Sequence, residues 1–237
     1  MTPFADFYAS AAQQPILLWC AATVGLLIAG LPRTSRSTRI FCLVFGLLPF
    51  LDAWLTADRV LGVGALSPTA GVVVATFFVV VGDLRVLLFL SSATAEGEIA
   101  LTGAGTARSV LLSLIVPTAT AAFRSLLPDA PWRGQATFLF YEVSFVGLLL
   151  ALRAGRWGAT RFPWGRSVTR YVLGYYALWA LADVAILFVH LDAGYLLRVV
   201  PTVLYYGGLL AVVSLTAPPA SPAHALAQGT GPAGASR

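Results

Sequence analysis

The sequence predicts an all-α fold, a membrane bundle of seven transmembrane helices with its N-terminus outside the cell and its C-terminus inside. Three observations predict it. First, 58% of the 237 residues are apolar and 11% are charged, whereas soluble domains average about 45–50% and about 25%. Second, the apolar residues form seven stretches, each close to the ~20 residues that cross a bilayer. Third, arginines cluster between certain stretches. The seven stretches are 15–31, 40–57, 70–92, 109–127, 135–152, 168–190 and 195–216.

The arginines indicate the orientation. Two loops hold eight of them, after the first and fifth stretches, and both loops fall on the same side if all seven stretches span. By the positive-inside rule that side is the cytoplasm. The chain contains no lysine and is rich in Ala, Gly, Leu and Arg, which is typical of GC-rich bacterial genomes and predicts a bacterial cytoplasmic membrane. The loop arginines are Arg33, Arg36, Arg39, Arg153, Arg156, Arg161, Arg166 and Arg170.

The segments outside the stretches complete the organisation. Asp6 is the only charge before the first stretch, so this stretch is predicted to be a retained anchor rather than a cleaved signal. Residues 1–216 are predicted to form the transmembrane domain, and the Ala/Pro/Gly-rich residues 217–237 a disordered cytoplasmic tail. The loop 153–167 combines arginines with Trp157, Phe162 and Trp164. It is expected to lie in the headgroup layer, where a protein partner could also dock.

Two small-residue patterns predict close helix contacts, Ala21-Gly25-Ala29 in the first stretch and Gly207-Ala211 in the seventh. Pro117 is predicted to bend the fourth stretch.

The second and sixth stretches resemble each other. In each, an aspartate follows a Thr-Arg pair by thirteen residues, Asp52 after Arg39 and Asp183 after Arg170. This favours a parallel repeat of three helices on each side of a linker helix, a 3+1+3 arrangement. Sugar carriers, PQ-loop proteins and microbial rhodopsins have similar architectures. However, the chain lacks the Pro-Gln pair of PQ-loop proteins and the retinal-binding lysine of microbial rhodopsins, so no family is assigned.

Ionisable residues at membrane depth are the candidate functional groups, because each charge in hydrocarbon costs at least ~2.5–3.5 kcal/mol and is usually turned to a partner or to a cavity. Helical spacing places several on shared faces with aromatic residues, for example Trp179 with Asp183, and Arg198 with Tyr205. We expect these faces to line an outward-facing cavity that binds a ligand or couples an ion. The candidates are Asp52, Asp83, Arg124, Glu142, Trp179, Asp183, Arg198 and Tyr205.

Structural roles compete with these functional ones. Asp183 with Arg198 is equally explained as a buried ion pair that fixes helix register, and Asp52 with Arg124 likewise. Asp83 is the strongest functional candidate, because it lies near the midplane after Gly82, which permits close helix approach. Packing explains Trp179 and the tyrosines better than ligand stacking does.

Three functions remain open. A small carrier, with proton coupling at Asp83 or Glu142, is preferred. A receptor or sensor without retinal and a non-catalytic subunit of a membrane complex are the alternatives. An enzyme is not favoured, since nucleophile elbow, HExxH and metal-binding motifs are all missing. The expected partners are the lipid bilayer, an unidentified small molecule or proton, and a protein at loop 153–167. No cofactor or metal is expected. No nucleic acid is expected either, since the high pI of 9.6 reflects the arginines of the two loops, which anionic lipid headgroups attract.

Overall fold

A computed structural model of the protein describes residues 3–55 and 68–220 and shows a helical bundle. The α-helices are α1 (Pro3–Tyr8), α2 (Leu18–Ala29), α3 (Arg36–Leu55), α4 (Pro68–Ser92), α5 (Gly103–Leu126), α6 (Arg133–Ala154), α7 (Pro163–Leu187), α8 (Ala193–Val203) and α9 (Leu209–Thr216). A short π-helical segment, Ala12–Leu17, precedes α2, and a second one, Leu204–Gly208, joins α8 to α9. A 3₁₀ turn, Gly158–Arg161, precedes α7.

Six helical segments in the described part are long and apolar enough to cross a membrane, and they indicate an integral membrane protein. The outer surface of the bundle is apolar as well: Leu27 on α2 and Leu111 on α5 expose 69% and 67% of their surface. The helix α4 has 25 residues but is not among the six, so the seventh span stays a prediction. The six segments are Ala12–Ala29, Arg36–Leu55, Gly103–Leu126, Arg133–Ala154, Pro163–Leu187 and Ala193–Thr216.

The helices run alternately up and down, which brings the two arginine-rich loops to one end of the bundle, here called the arginine end. The loop after α4 joins them. The carbonyl oxygen of Gly97 accepts hydrogen bonds from Ser35 Oγ at 3.1 Å and Thr38 Oγ1 at 2.7 Å. On the other side of the same loop, the Trp164 indole donates to the Thr94 carbonyl oxygen at 2.9 Å. Gly97 has a φ of 84°, which glycine adopts without a steric penalty.

The predicted small-residue contact is confirmed, and it lies within the chain. A Cβ atom on Gly25 of α2 would collide with the carbonyl oxygen of Gly207, and one on Gly207 would collide with that of Ala21. The absence of side chains therefore lets α2 pack directly against the π-helical segment between α8 and α9.

The interior divides into two halves of different chemistry. The half near the arginine end is filled by apolar side chains from α4, α6, α7 and α9, among them Leu90, Phe145, Leu149, Val172 and Val213. The opposite half, here called the polar end, contains the ends of α3 and α7 and the starts of α6 and α8, together with buried charged side chains.

Two predicted surface segments are in contact with the bundle. The Trp164 side chain in the predicted headgroup or partner loop 153–167 is buried, and its ring packs edge-on against Phe89 at 5.0 Å between ring centroids. Within the predicted tail, Ala217 is buried and the Ala220 amide donates to the Arg33 carbonyl oxygen at 3.1 Å. Residues 221–237 of the tail lie outside the described residues.

Candidate functional site

A cavity of about 290 Å³ lies between the helices at the polar end. Ligand cavities are commonly about 300–1,000 Å³ and lined by apolar and aromatic side chains with a few convergent polar groups. This one matches that description near its lower size limit. Its lining consists of Tyr8, Gln14, Asp52, Phe78, Val79, Phe138, Tyr141, Glu142, Tyr176, Trp179, Arg198, Thr202, Tyr205 and Tyr206.

Arg198 on α8 is the centre of a buried charged cluster at the cavity wall. Its Nη1 atom contacts Asp183 Oδ1 on α7 and lies 3.8 Å from Glu142 Oε1 on α6. Gln135, also on α6, donates from Nε2 to the same Asp183 oxygen at 2.5 Å. Asp183 is fully buried. The predicted pairing of Asp183 with Arg198 is therefore confirmed, and the pair joins α6, α7 and α8.

Glu142 and Asp183 have one oxygen each without a hydrogen-bond donor. Glu142 Oε2 and Asp183 Oδ2 are buried, and within residues 3–55 and 68–220 no donor reaches either atom. The two carboxyl groups face the same guanidinium nitrogen, Arg198 Nη1. Two ionised carboxylates are both acceptors and repel each other, whereas a proton on one of them removes the repulsion.

Asp83 on α4 lies behind the cavity wall. Tyr141 on α6 and Tyr176 on α7 line the cavity with their rings, and both hydroxyl groups donate to the carboxylate, that of Tyr176 at 2.5 Å from Oδ1. Asp83 itself is 1% exposed and is not part of the lining. The structure thus separates the preferred sequence candidate from the cavity by one layer of tyrosines.

Arg85, two residues further along α4, is directed at Tyr205. Its Nη2 atom donates to the Tyr205 carbonyl oxygen at 2.8 Å, and its guanidinium lies over the ring at 4.2 Å from the centroid. Such a cation–π contact is stronger when it is desolvated.

Asp52 on α3 lines the cavity and accepts a hydrogen bond from Tyr206 at 2.5 Å. Tyr205 and Tyr206 are adjacent in the π-helical segment that follows Pro201. Proline provides no backbone donor, and π-helical turns are frequent at functional sites. In this segment both tyrosines line the cavity, Tyr205 beside Arg85 and Tyr206 beside Asp52.

The predicted faces of the sixth and seventh stretches meet as expected. Trp179 on α7 donates from its indole to Thr202 Oγ1 on α8 at 3.2 Å. Its ring centroid is 5.5 Å from those of Tyr176 and Tyr205. His190, the last residue of the sixth stretch, is exposed beyond the end of α7 and lies outside the cavity lining.

The N-terminal segment covers one side of the site, which the sequence did not indicate. Arg198 Nε donates to the Tyr8 hydroxyl at 3.4 Å, and Gln14 lines the cavity. The Phe4 amide donates to Asp192 at 3.1 Å, which attaches α1 to the start of α8. Tyr8 and Arg198 are 190 positions apart, so residue spacing does not predict their contact.

One candidate is placed away from the site. Arg124 lies exposed in the last turn of α5, outside the cavity lining, and no ion pair with Asp52 forms in the described part of the chain. The expected pairing fails because α5 packs between α4 and α6, whereas Asp52 is on α3. Of the eight candidates, the lining includes five: Asp52, Glu142, Trp179, Arg198 and Tyr205.

No protein family, curated protein or solved structure that was compared matches the chain. Among the described residues, no group of three or more His, Cys, Asp or Glu side chains is placed to hold a metal ion. The class that the observations support is a helical integral membrane protein with a polar and aromatic cavity.

Proposed function

We propose that the protein is a small integral membrane carrier, coupled to proton movement, that binds its solute in the cavity at the polar end. In this proposal it resides in a bacterial cytoplasmic membrane with the polar end facing outward. The observation that supports this proposal most is the environment of Glu142. Its side chain is 4% exposed and lines the cavity, and one of its carboxyl oxygens accepts no hydrogen bond from the described residues. Intramembrane carboxyl groups of this kind are typical of proton relays and ion-coupling sites.

The cluster supplies the means of coupling. One guanidinium faces two carboxyl groups, so the three side chains carry a net charge of −1 when all are ionised. A net charge is unfavourable in a low-dielectric interior. Binding one proton brings the cluster to neutrality, and a bound solute that alters this balance alters the proton's affinity. Solute binding and proton binding are therefore linked at Glu142 and Asp183.

A purely structural subunit would not need the cavity, whereas a receptor would need it as much as a carrier does. The difference between a carrier and a receptor is access, because a carrier exposes its site to both sides of the membrane in turn. We therefore test access at Thr202, which lines the cavity and is 6% exposed. Thr202→Cys is introduced after replacement of both native cysteines, Cys20 and Cys42.

The experiment uses proteoliposomes of uniform orientation and a membrane-impermeant thiol reagent added from one side at a time. A carrier is expected to be labelled at position 202 from either side. Val200→Cys is the matched control on the same helix, because Val200 is 48% exposed on the apolar outside and should react from neither side. Labelling of Thr202→Cys from one side only would overturn the carrier proposal in favour of a receptor or a structural subunit.

A further inference from the structure

We propose that the solute is a small organic cation, a protonated amine on an apolar body, and that it exchanges with the proton shared by Glu142 and Asp183. The identity of the ligand follows from the cavity itself, whereas its transport rests on the carrier function proposed above.

Five side chains of the cavity lining direct hydrogen-bond donors at protein acceptors. The hydroxyls of Tyr141 and Tyr176 donate to Asp83, and that of Tyr206 donates to Asp52. The indole of Trp179 donates to Thr202, and Arg198 donates to Asp183 and Tyr8. An anion requires free donors, and the donors of these five side chains are in use. The carboxyl oxygen Oε2 of Glu142 is an acceptor without a donor in the described part of the chain, which an N–H group of an ammonium ion would fill.

The aromatic lining fits the same ligand. The ring centroid of Trp179 lies 5.5 Å from that of Tyr176 and 5.5 Å from that of Tyr205, beside the acidic wall. Aromatic faces attract cations with about 0.5–2 kcal/mol each, more when water is excluded. Arg85 already uses the Tyr205 ring in this way. The volume of about 290 Å³ limits the ligand to a small amine.

Charge balance explains the exchange. With one proton, the cluster of Arg198, Asp183 and Glu142 is neutral, and with one bound monocation and no proton it is neutral again. The cation enters, the proton leaves to water, and no other species is required. The empty, deprotonated state has a net charge of −1 at membrane depth and is unfavourable. Cation and proton therefore compete, and cation affinity is expected to fall as the pH falls.

Charged and titratable groups on several helices face Glu142 and contribute to this competition. Arg198 on α8 lies 3.8 Å from its carboxyl oxygen Oε1, and Asp183 on α7 contacts the same guanidinium nitrogen. Asp52 on α3 and the hydroxyl of Tyr8 share the cavity, and Asp83 on α4 lies behind Tyr141 and Tyr176. Asp83 is separated from the cavity by the tyrosine layer, so we assign the exchange to the pair Glu142 and Asp183.

The test is calorimetric titration of the purified full chain with three probes that share one body: 2-phenylethylamine as the cation, 2-phenylethanol as the neutral analogue and phenylacetate as the anion. We expect saturable binding of the amine, and affinities at least about tenfold lower for the other two. About one proton should be released per amine bound, measured in buffers of different ionisation enthalpy. Amine affinity should fall as the pH is lowered.

Glu142→Gln should lower amine affinity at least about tenfold and abolish proton release. Glu96→Gln is the matched control, because Glu96 is exposed in the loop at the arginine end. If Glu142→Gln fails to fold, the pH dependence and proton release of the unaltered protein decide the question. The inference is overturned if the amine shows no saturable binding at millimolar concentrations, if 2-phenylethanol or phenylacetate binds as tightly, or if no proton is released.

The two proposals fail separately. Amine binding with proton release, combined with one-sided labelling of Thr202→Cys, would keep the ligand class and reject the carrier. Two-sided labelling without amine binding would keep the carrier and reject the ligand class.

Discussion

Glu142 Oε1 lies 3.8 Å from Arg198 Nη1, whereas Asp183 contacts the same nitrogen directly. The guanidinium thus has one close and one distant counterion, and Asp183 also receives the hydrogen bond from Gln135. We therefore assign the ionised state to Asp183 and the proton to Glu142.

This asymmetry predicts different consequences for two conservative substitutions. Glu142→Gln replaces a protonated carboxyl group by a neutral amide of the same shape and should lower the free energy of unfolding by less than about 1 kcal/mol. Asp183→Asn removes the counterion of a buried guanidinium and should lower it by about 3 kcal/mol or more. Equilibrium unfolding in mixed micelles measures both values. Equal losses would show that the two carboxyl groups are equivalent and would contradict the assignment.

Gly82 on α4 faces the hydroxyl of Tyr205 in the π-helical segment. A Cβ atom at position 82 would overlap the Tyr205 hydroxyl. Gly82→Ala should therefore lower the free energy of unfolding by about 1–3 kcal/mol, and Tyr205→Phe should recover part of the loss because it removes the colliding oxygen. Gly174→Ala on α7, with no atom within 4 Å of its Cβ position, is the control and should be neutral or slightly stabilising. Equal effects at positions 82 and 174 would contradict the contact.

The tyrosine pair around Asp83 can be tested by a third unfolding experiment. Tyr141→Phe and Tyr176→Phe each remove a hydrogen bond to a buried carboxyl group and should each lower the free energy of unfolding by about 1–3 kcal/mol. Tyr175→Phe is an internal control, because the Tyr175 hydroxyl is buried and has no hydrogen-bond partner in the described residues. That substitution should be neutral or stabilising. A loss at Tyr175 as large as at Tyr176 would mean that ring packing, not the hydroxyl, determines the effect.

The sequence predicted the elements whose signals are local. Apolar length and arginine position predicted the helices and placed both basic loops at one end, and Ala21-Gly25-Ala29 predicted the close contact of α2. The pair Asp183 and Arg198 was predictable because consecutive antiparallel helices place them at similar depth. Each of these follows from helix geometry and residue spacing, which require no knowledge of how distant helices are arranged.

The arrangement of the cavity was less predictable, because it depends on which helices are neighbours. Arg124 has the right depth to pair with Asp52, but α5 lies between α4 and α6. Asp83 has the signature of a functional residue, yet two tyrosines from α6 and α7 cover it. Tyr8 contacts Arg198 across 190 positions of sequence. The π-helical turn that directs Tyr205 and Tyr206 to different partners has no periodicity from which it could be predicted.

Orientation in the membrane gives the last prediction, which tests the bundle as a whole. The loops after α2, α4 and α6 are hydrogen-bonded to one another or packed together at the arginine end, and basic loops stay in the cytoplasm. Single cysteines at Pro32 and Ala154, exposed positions that leave every arginine in place, should therefore react with an impermeant reagent only from the cytoplasmic side. Cysteines at Pro128 and His190, exposed between α5 and α6 and after α7, should react only from outside. Reaction of positions 32 and 154 from opposite sides would be incompatible with the fold. Reaction of both positions from outside would be compatible with the fold but would reverse its orientation in the membrane, so that the cavity would open to the cytoplasm.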